Sequence, residues 1–338
     1  MSLAIVGMGL VTPFGGTPAE HVFYVRAHVP APPASPFETA DGERVEASYC
    51  RWLGAAMGLE ERLAQLGDYA AKMAFASVHT FVKPSDLRVL SCTSKPRPGR
   101  DALAAKRLDK LLGARSSNGN ARQFLGDAGA FGALKEAKAL VQADPSIAVL
   151  VVATDSYIAP ATLEDRVKFP PSYWDFDPPP ASEGAAAMVV MDPTAARRAN
   201  AKILGTVDGA AIAAGTSHDD NDEPVDGTAM VVALRQLSEK ARPRAAYGPW
   251  RVDLLRRDEF QIASARASFF ALDAEFRCLE AKVGRLGAAS GLANAVYGVA
   301  VHAHKATDNP DAAQSPLLAW AISPDGTRGA GLFTGGRP

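Results

Sequence analysis

The run Ser146–Ala153 (SIAVLVVA) limits the fold more than any other stretch, because it is apolar throughout with no polar alternation. A strand with one face in water alternates, whereas an unbroken run needs cover on both faces. Ahead of it, Ala128–Gln142 is rich in alanine and carries Leu134, Ala137 and Val141 on one helical face. That spacing predicts a buried helix packed on the strand. Ala185–Met191 (AAAMVVM) and Ile203–Ala214 read as further strands, and Leu3–Val6 as another, entering a glycine-rich turn at Gly7 and Gly9. An α/β protein with both sheet faces covered follows.

Other segments fill in the plan. Leu66–Val82 reads as a helix through Leu66, Tyr69, Ala70, Met73, Ala74 and Val78, Arg88–Ser91 as a short strand, and Asp101–Leu112 as an amphipathic helix. Pro30, Pro32, Pro33 and Pro36 mark a surface excursion, since each proline removes a backbone donor. The acidic run Ser217–Gly227 is the best internal boundary, dividing the chain into residues 1–215 and 216–338. Beyond it come a helix at Thr228–Ala241, a small-residue helix at Ala288–Ala303, and strands at Leu317–Ile322 and Ala330–Thr334 around the turn Pro324-Asp325-Gly326. Each half sets a small-residue helix before paired apolar strands, the pattern of an α/β duplication.

Composition narrows the function. At 338 residues and 47% hydrophobic, the chain has ample material for a large core, one of two parts. Its 36 basic and 37 acidic residues leave a net charge of −1, so no broad field draws a polyanion or an anionic membrane. Nucleic acid and membrane are therefore not expected partners. Cys50, Cys92 and Cys278 are too scattered for a disulfide framework or a zinc site and fit a reducing compartment. No apolar run reaches the roughly 20 residues of a spanning helix, and the N-terminus lacks a basic n-region, so a cytoplasmic location is expected.

Three segments, in order, then point to a family. Ile5–Gly15 (IVGMGLVTPFG) opens the chain, Ser182–Ala187 (SEGAAA) enters a strand, and Leu286–Gly291 (LGAASG) leads a small-residue helix. Together they resemble the opening strand, the GEGA segment and the stretch after the second catalytic histidine in the β-ketoacyl synthase branch of the thiolase family. The resemblance implies a duplicated, five-layered α-β-α-β-α fold and dimerisation, with the strand Ser146–Ala153 pairing across a two-fold axis. It also implies a family chemistry in which a cysteine at the start of a buried helix takes an acyl group. Two histidines then assist decarboxylation of a malonyl thioester and stabilise the enolate. No cofactor and no metal are called for.

The chain lacks matching residues where that chemistry would sit. The nucleophile position falls near Asp127 in Leu125-Gly126-Asp127-Ala128-Gly129-Ala130, and no cysteine occurs between Cys92 and Cys278. One histidine position falls near Trp250–Phe260 and the other near Gly284 or Arg285, yet no histidine lies between His218 and His302. A family loop of GFGG type is replaced by Ser323-Pro324-Asp325-Gly326. The resemblance therefore implies a protein that has lost condensing activity and serves as a non-catalytic partner or binding subunit, in fatty acid or polyketide biosynthesis. Its partners would be a second copy or a β-ketoacyl synthase-like subunit, and an acyl carrier protein. The rival readings are an acyl-thioester transferase or hydrolase that uses other residues, and a module that binds something unrelated to acyl groups.

Asp127, Phe131 and Arg285 are the candidate substrate-binding residues. Asp127 is expected to cap the helix that follows by accepting backbone N–H bonds, with Arg285 a conceivable charge partner. An open tunnel to Asp127 would favour the enzyme, and a cavity filled by side chains such as Phe131 the other two readings. The acidic run His218–Glu223 lacks the glycine and ligand order of a calcium loop and reads as a solvated linker. His302 and His304 do not share a helical face and read as ordinary histidines. Arg256–Glu259 and the aromatic segment Phe169–Trp174 carry no assignment.

Overall fold

In the computed structural model, Ser146–Ala153 gives a strand, Ala148–Ser156, in which every residue is buried. The structure describes residues 1–29, 37–38, 42, 44–97, 99, 122–163, 179–216, 226–238, 242–250, 252, 254–271, 273–308 and 315–336. The helix expected at Asp101–Leu112, the Pro30–Pro36 excursion, the run His218–Glu223 and the segment Phe169–Trp174 lie outside them.

Ten strands make one sheet. They are β1 (Leu3–Val11), β2 (Leu87–Thr93), β3 (Arg122–Leu125), β4 (Ala148–Ser156), β5 (Glu183–Met191), β6 (Gly205–Ala214), β7 (Ala245–Tyr247), β8 (Glu275–Arg277), β9 (Leu317–Ile322) and β10 (Thr327–Gly335). Their order is β3-β2-β4-β5-β1-β6-β10-β9-β7-β8. Outward from the β1/β6 seam, the two wings read the same way. β5 is antiparallel to β1 and β4, while β2 is parallel to β4 and β3. β10 is likewise antiparallel to β6 and β9, while β7 is parallel to β9 and β8. The duplication expected from sequence is thus a duplication of topology. By strand order the second copy begins at Gly205, ahead of the division drawn at 215. At the seam the strands of the two wings pair at Leu3↔Val207, Ala4↔Thr206 and Ile5↔Gly205.

Among the described residues, the α-helices are α1 (Pro18–Arg26), α2 (Leu59–Ala76), α3 (Gly129–Ala143), α4 (Pro193–Arg198), α5 (Thr228–Ser238), α6 (Leu254–Ala267), α7 (Glu280–Val283) and α8 (Ser290–Asp308). α3 and α8 lie between the two wings: α3 packs on β2 and β4 but also on β6 and β10, and α8 on β9 and β10 but also on β1 and β5. α2 covers the outer face of the first wing, and α5, backed by α6, covers that of the second. Among the described residues, apolar cores lie around α3 and α8 at the centre, under α2, and under α5 and α6, and a smaller cluster gathers Val45, Ala47, Tyr157, Ile158, Leu163 and Ala181. The result is five layers, α-β-α-β-α.

Two expectations are corrected. Gly7 and Gly9 are not a turn; both lie inside β1, where a Cβ would come within 2.0 Å of Ala74 O and 2.1 Å of Ala70 O. They are glycine because α2 crosses the strand at backbone distance. The strand expected to pair across a dimer axis is interior, since β4 is hydrogen-bonded to β2 along one edge and to β5 along the other. Both of its ladders are used, which leaves none for a partner. The edge of this wing is β3. Among the described residues, no helix is long and apolar enough to cross a membrane.

Candidate functional site

The parallel strands β2, β3 and β4 end side by side, and the segments leaving them build the site. β3 turns sharply into α3 at Gly126, whose φ of 83° is in the left-handed region that favours glycine. The turn delivers Asp127 to the start of the helix, buried. Its Oδ2 lies 3.4 Å from Nη1 of Arg256 on α6, and the two side chains are 9% and 5% exposed. Burial pushes the Asp127 carboxyl above its ordinary value; Arg256, Arg285 and Arg97 oppose that shift, and Asp155 adds to it.

The expected cap is not the one observed. Asp127 turns its carboxylate to Arg256, and the Ala128 N–H donates instead to Ser323 Oγ at 2.8 Å. Ser323 belongs to the β9–β10 turn, which occupies the place where the sequence departs from the family loop. The same turn is tied to the segment after β2 by Lys95 Nζ and Asp325 Oδ2 at 2.5 Å.

Around this centre, Asp155 at the end of β4 accepts Arg97 Nη1 and Nη2 at 3.1 and 2.8 Å, and the Ser156 and Ala288 N–H groups at 2.9 Å each. The Arg97 guanidinium lies 3.9 Å above the Tyr157 ring, with that of Arg285 5.5 Å from the same ring. Glu280, on α7, accepts from the Leu286 N–H and Ser290 Oγ, and burial raises its carboxyl. Three guanidinium groups therefore face three buried carboxyls. Guanidinium does not give up its proton near neutrality, and a carboxylate held by cations is a weak nucleophile. Among the described residues, the arrangement brings guanidinium and carboxyl groups together so that their charges neutralise one another.

Of the expected site residues, Asp127 and Arg285 are brought within electrostatic reach of each other. Gly284 is not part of the centre: with φ 87° it packs against Ser182, whose Cβ would be 2.6 Å from a Cβ there. Phe131 lies along the first turn of α3 and is fully buried. Its ring is pressed by Gly291, Gly329 and Gly331, where an added Cβ would come within 2.9, 2.6 and 3.1 Å of ring atoms. Arg256 stands in the segment Trp250–Phe260, where the resemblance puts one of the family's histidine positions. Arg97, Asp155, Glu280 and Ser323 were not foreseen; the polar Thr154-Asp155-Ser156 ending an apolar strand was the available signal.

The SEGAAA segment does enter a strand, and its carboxylate is structural. Glu183, fully buried, accepts from Arg62 Nη1 and the Cys50 N–H, each at 2.7 Å, and from Ser156 Oγ at 2.9 Å. His302 is buried beside Tyr247, with ring centroids 6.1 Å apart, and His304 is exposed.

No protein-family model and no curated protein sequence matches the chain. Solved structures do. One is from the type II polyketide synthase complex AntDE:AntF, an acyl-carrier protein with its ketosynthase bound to the hexaketide, at TM-score 0.72 and 13% identity over 99% of each chain. Another is the ishigamide ketosynthase/chain length factor, at TM-score 0.69 and 18% identity, again over 99% of each chain. A third is the ketosynthase from module 6 of the bacillaene synthase of Bacillus subtilis 168, at TM-score 0.78 and 13% identity, over 100% of this chain and 73% of that one. The chain has the thiolase-like fold of ketosynthases and chain length factors.

Proposed function

We propose that the protein is a ketosynthase-like subunit without condensing activity, acting as a partner or binding subunit in polyketide or fatty acid biosynthesis in the cytoplasm. The observation that carries this reading is the buried Asp127–Arg256 pair at the start of α3, 3.4 Å apart, where the resemblance puts the acyl-accepting cysteine. A carboxylate held by guanidinium does not form a thioester. The resemblance puts the two imidazoles in the segments that hold Arg256 and Arg285, and neither guanidinium serves as a general base. Phe131, on the first turn of α3, is wedged among Gly291, Gly329 and Gly331, and Ser323 accepts the N–H of Ala128 just ahead of the helix. Asp127, Phe131 and Arg285 thus act as a plug rather than as a substrate pocket.

The partner would be a second copy or a ketosynthase-like subunit, joined along the outer edge of β3, where Leu125 is 40% exposed. An acyl carrier protein would be met by that assembly. The test is incubation with acyl carrier protein bearing an acyl group and with malonyl thioester, read by intact mass spectrometry and product analysis. Neither a covalent adduct nor ketoacyl product is expected, and Asp127→Cys alone should not restore condensation, because both imidazoles remain absent. Steady ketoacyl product from the wild type above a no-protein control would overturn the reading. A mass of 35.5 kDa by light scattering at micromolar concentration, with or without a ketosynthase-like subunit, would overturn the partner role.

A further inference from the structure

A second concavity lies away from the Asp127 centre. At the β1/β6 seam the wings pair only through Leu3–Ile5, and β1 runs on from Gly7 with β5 alone. Past that point α1, the last turns of α2 and the later turns of α8 close around a cavity of about 720 Å³. That is the size of a small-molecule site. It is separated from Asp127 by about 15–20 Å along α8, at 1.5 Å of rise per residue.

The lining has two characters. Met8, Val22, Met73, Leu204 and Ala300 make an apolar floor and walls, and Phe23, 65% exposed, stands at the rim. Among the described residues this is the most exposed of the large hydrophobic side chains. Among the described residues, the ionisable lining residues are Arg26 and His304, both exposed, and no carboxylate lines the cavity. The nearby Glu20 is turned away into the cap of α1, where Oε2 accepts the Gly16 and Thr17 N–H groups at 2.7 and 3.0 Å. Methionines adapt to irregular apolar shapes, and a guanidinium beside an apolar cavity pairs with a carboxylate in planar fashion.

We propose that this cavity binds a small amphipathic anion: an apolar chain or ring system buried among Met8, Met73 and Leu204, ending in a carboxylate held by Arg26. The concave form favours a small molecule over a flat protein surface, and the one-sided charge selects its head group.

The test is calorimetric titration of the full chain with dodecanoate below its micelle concentration. Saturable binding at one site per chain is expected. Dodecyltrimethylammonium, with the same tail and the opposite charge, should bind at least about tenfold more weakly, and Arg26→Glu should weaken dodecanoate by about tenfold. Ala303→Trp, which fills the cavity, should abolish binding while the circular dichroism spectrum is kept. Should that variant not fold, the exposed Arg26 position still decides. Equal affinity for both amphiphiles, no saturable binding, or dodecanoate binding unchanged in Arg26→Glu would overturn the proposal. So would a change of mass in light scattering with Arg26→Glu and no change in dodecanoate affinity, which would assign the groove to a second copy.

Discussion

Phe131 and Gly329 meet at a distance that leaves no room for a side chain on the latter, since a Cβ there would lie 2.6 Å from Cδ2 of the ring. Gly329→Ala should therefore overpack the central layer and destabilise the protein by about 1–3 kcal/mol. Phe131→Ala should cost about 3–5 kcal/mol and open space beside Asp127. Urea unfolding of both variants checks this, and wild-type midpoints would show that Phe131 is not wedged.

His21 is fully buried and neutral, with Nδ1 donating to Thr17 O and Nε2 accepting from Thr12 Oγ1, each at 2.7 Å. Burial lowers its pKa from 6.5 to about 4. Between those values the unfolded chain binds a proton that the folded one refuses, so stability falls as pH drops through this window. The full effect is about 3 kcal/mol. His21→Gln should flatten the difference in unfolding free energy between neutral pH and pH near 4; an unchanged slope would place the proton elsewhere.

Ser323 caps a helix that begins nearly two hundred positions earlier in the chain. Ser323→Ala leaves the Ala128 N–H without its acceptor and should cost about 0.5–2 kcal/mol. Thermal unfolding measures it. A loss smaller than that range would mean water replaces the hydroxyl at the turn.

Arg62 and Glu183 are both fully buried, 2.7 Å apart. Glu183→Leu and Arg62→Met each strand a charge and should cost about 3–5 kcal/mol. The double variant should cost clearly less than the sum, because no charge is then left uncompensated. Strict additivity in the double-mutant cycle would show that the two groups act independently.

The sequence revealed elements whose own residues determine them. β9 is apolar throughout, β4 and β5 are apolar except where Thr154, Asp155, Ser156 and Glu183 stand at their ends, and α3 and α8 are small-residue helices; both patterns mark burial on every side. α1 escaped notice although Thr17-Pro18-Ala19-Glu20 is a capping box with proline in the first turn, because the helix after it has no strong apolar face. β3, β7 and β8 escaped because four, three and three residues are too short to show a period.

At the site, local residues again decided what was visible. The place of Asp127 and the candidacy of Arg285 came from segments near each in sequence. Arg256 could be bracketed but not chosen, since its partner lies far away in the chain and no spacing joins them. Ser323 was hidden for the same reason: its hydroxyl serves a helix of the other repeat. Contacts between the repeats are set by the fold, and a single sequence holds no local trace of them.

The exchange of inner helices between the wings has a consequence for how the molecule comes apart. α3 belongs by sequence to the first repeat but supports β6 and β10, and α8 belongs to the second but supports β1 and β5. Each repeat thus holds the inner lining of the other, and the central core joins Leu3 and Val149 to Leu317 and Phe333. Loosening either repeat bares the apolar inner face of its neighbour, so unfolding should run as one cooperative event across the seam. A chain cut at the internal boundary would yield two fragments that stay soluble only when they find each other.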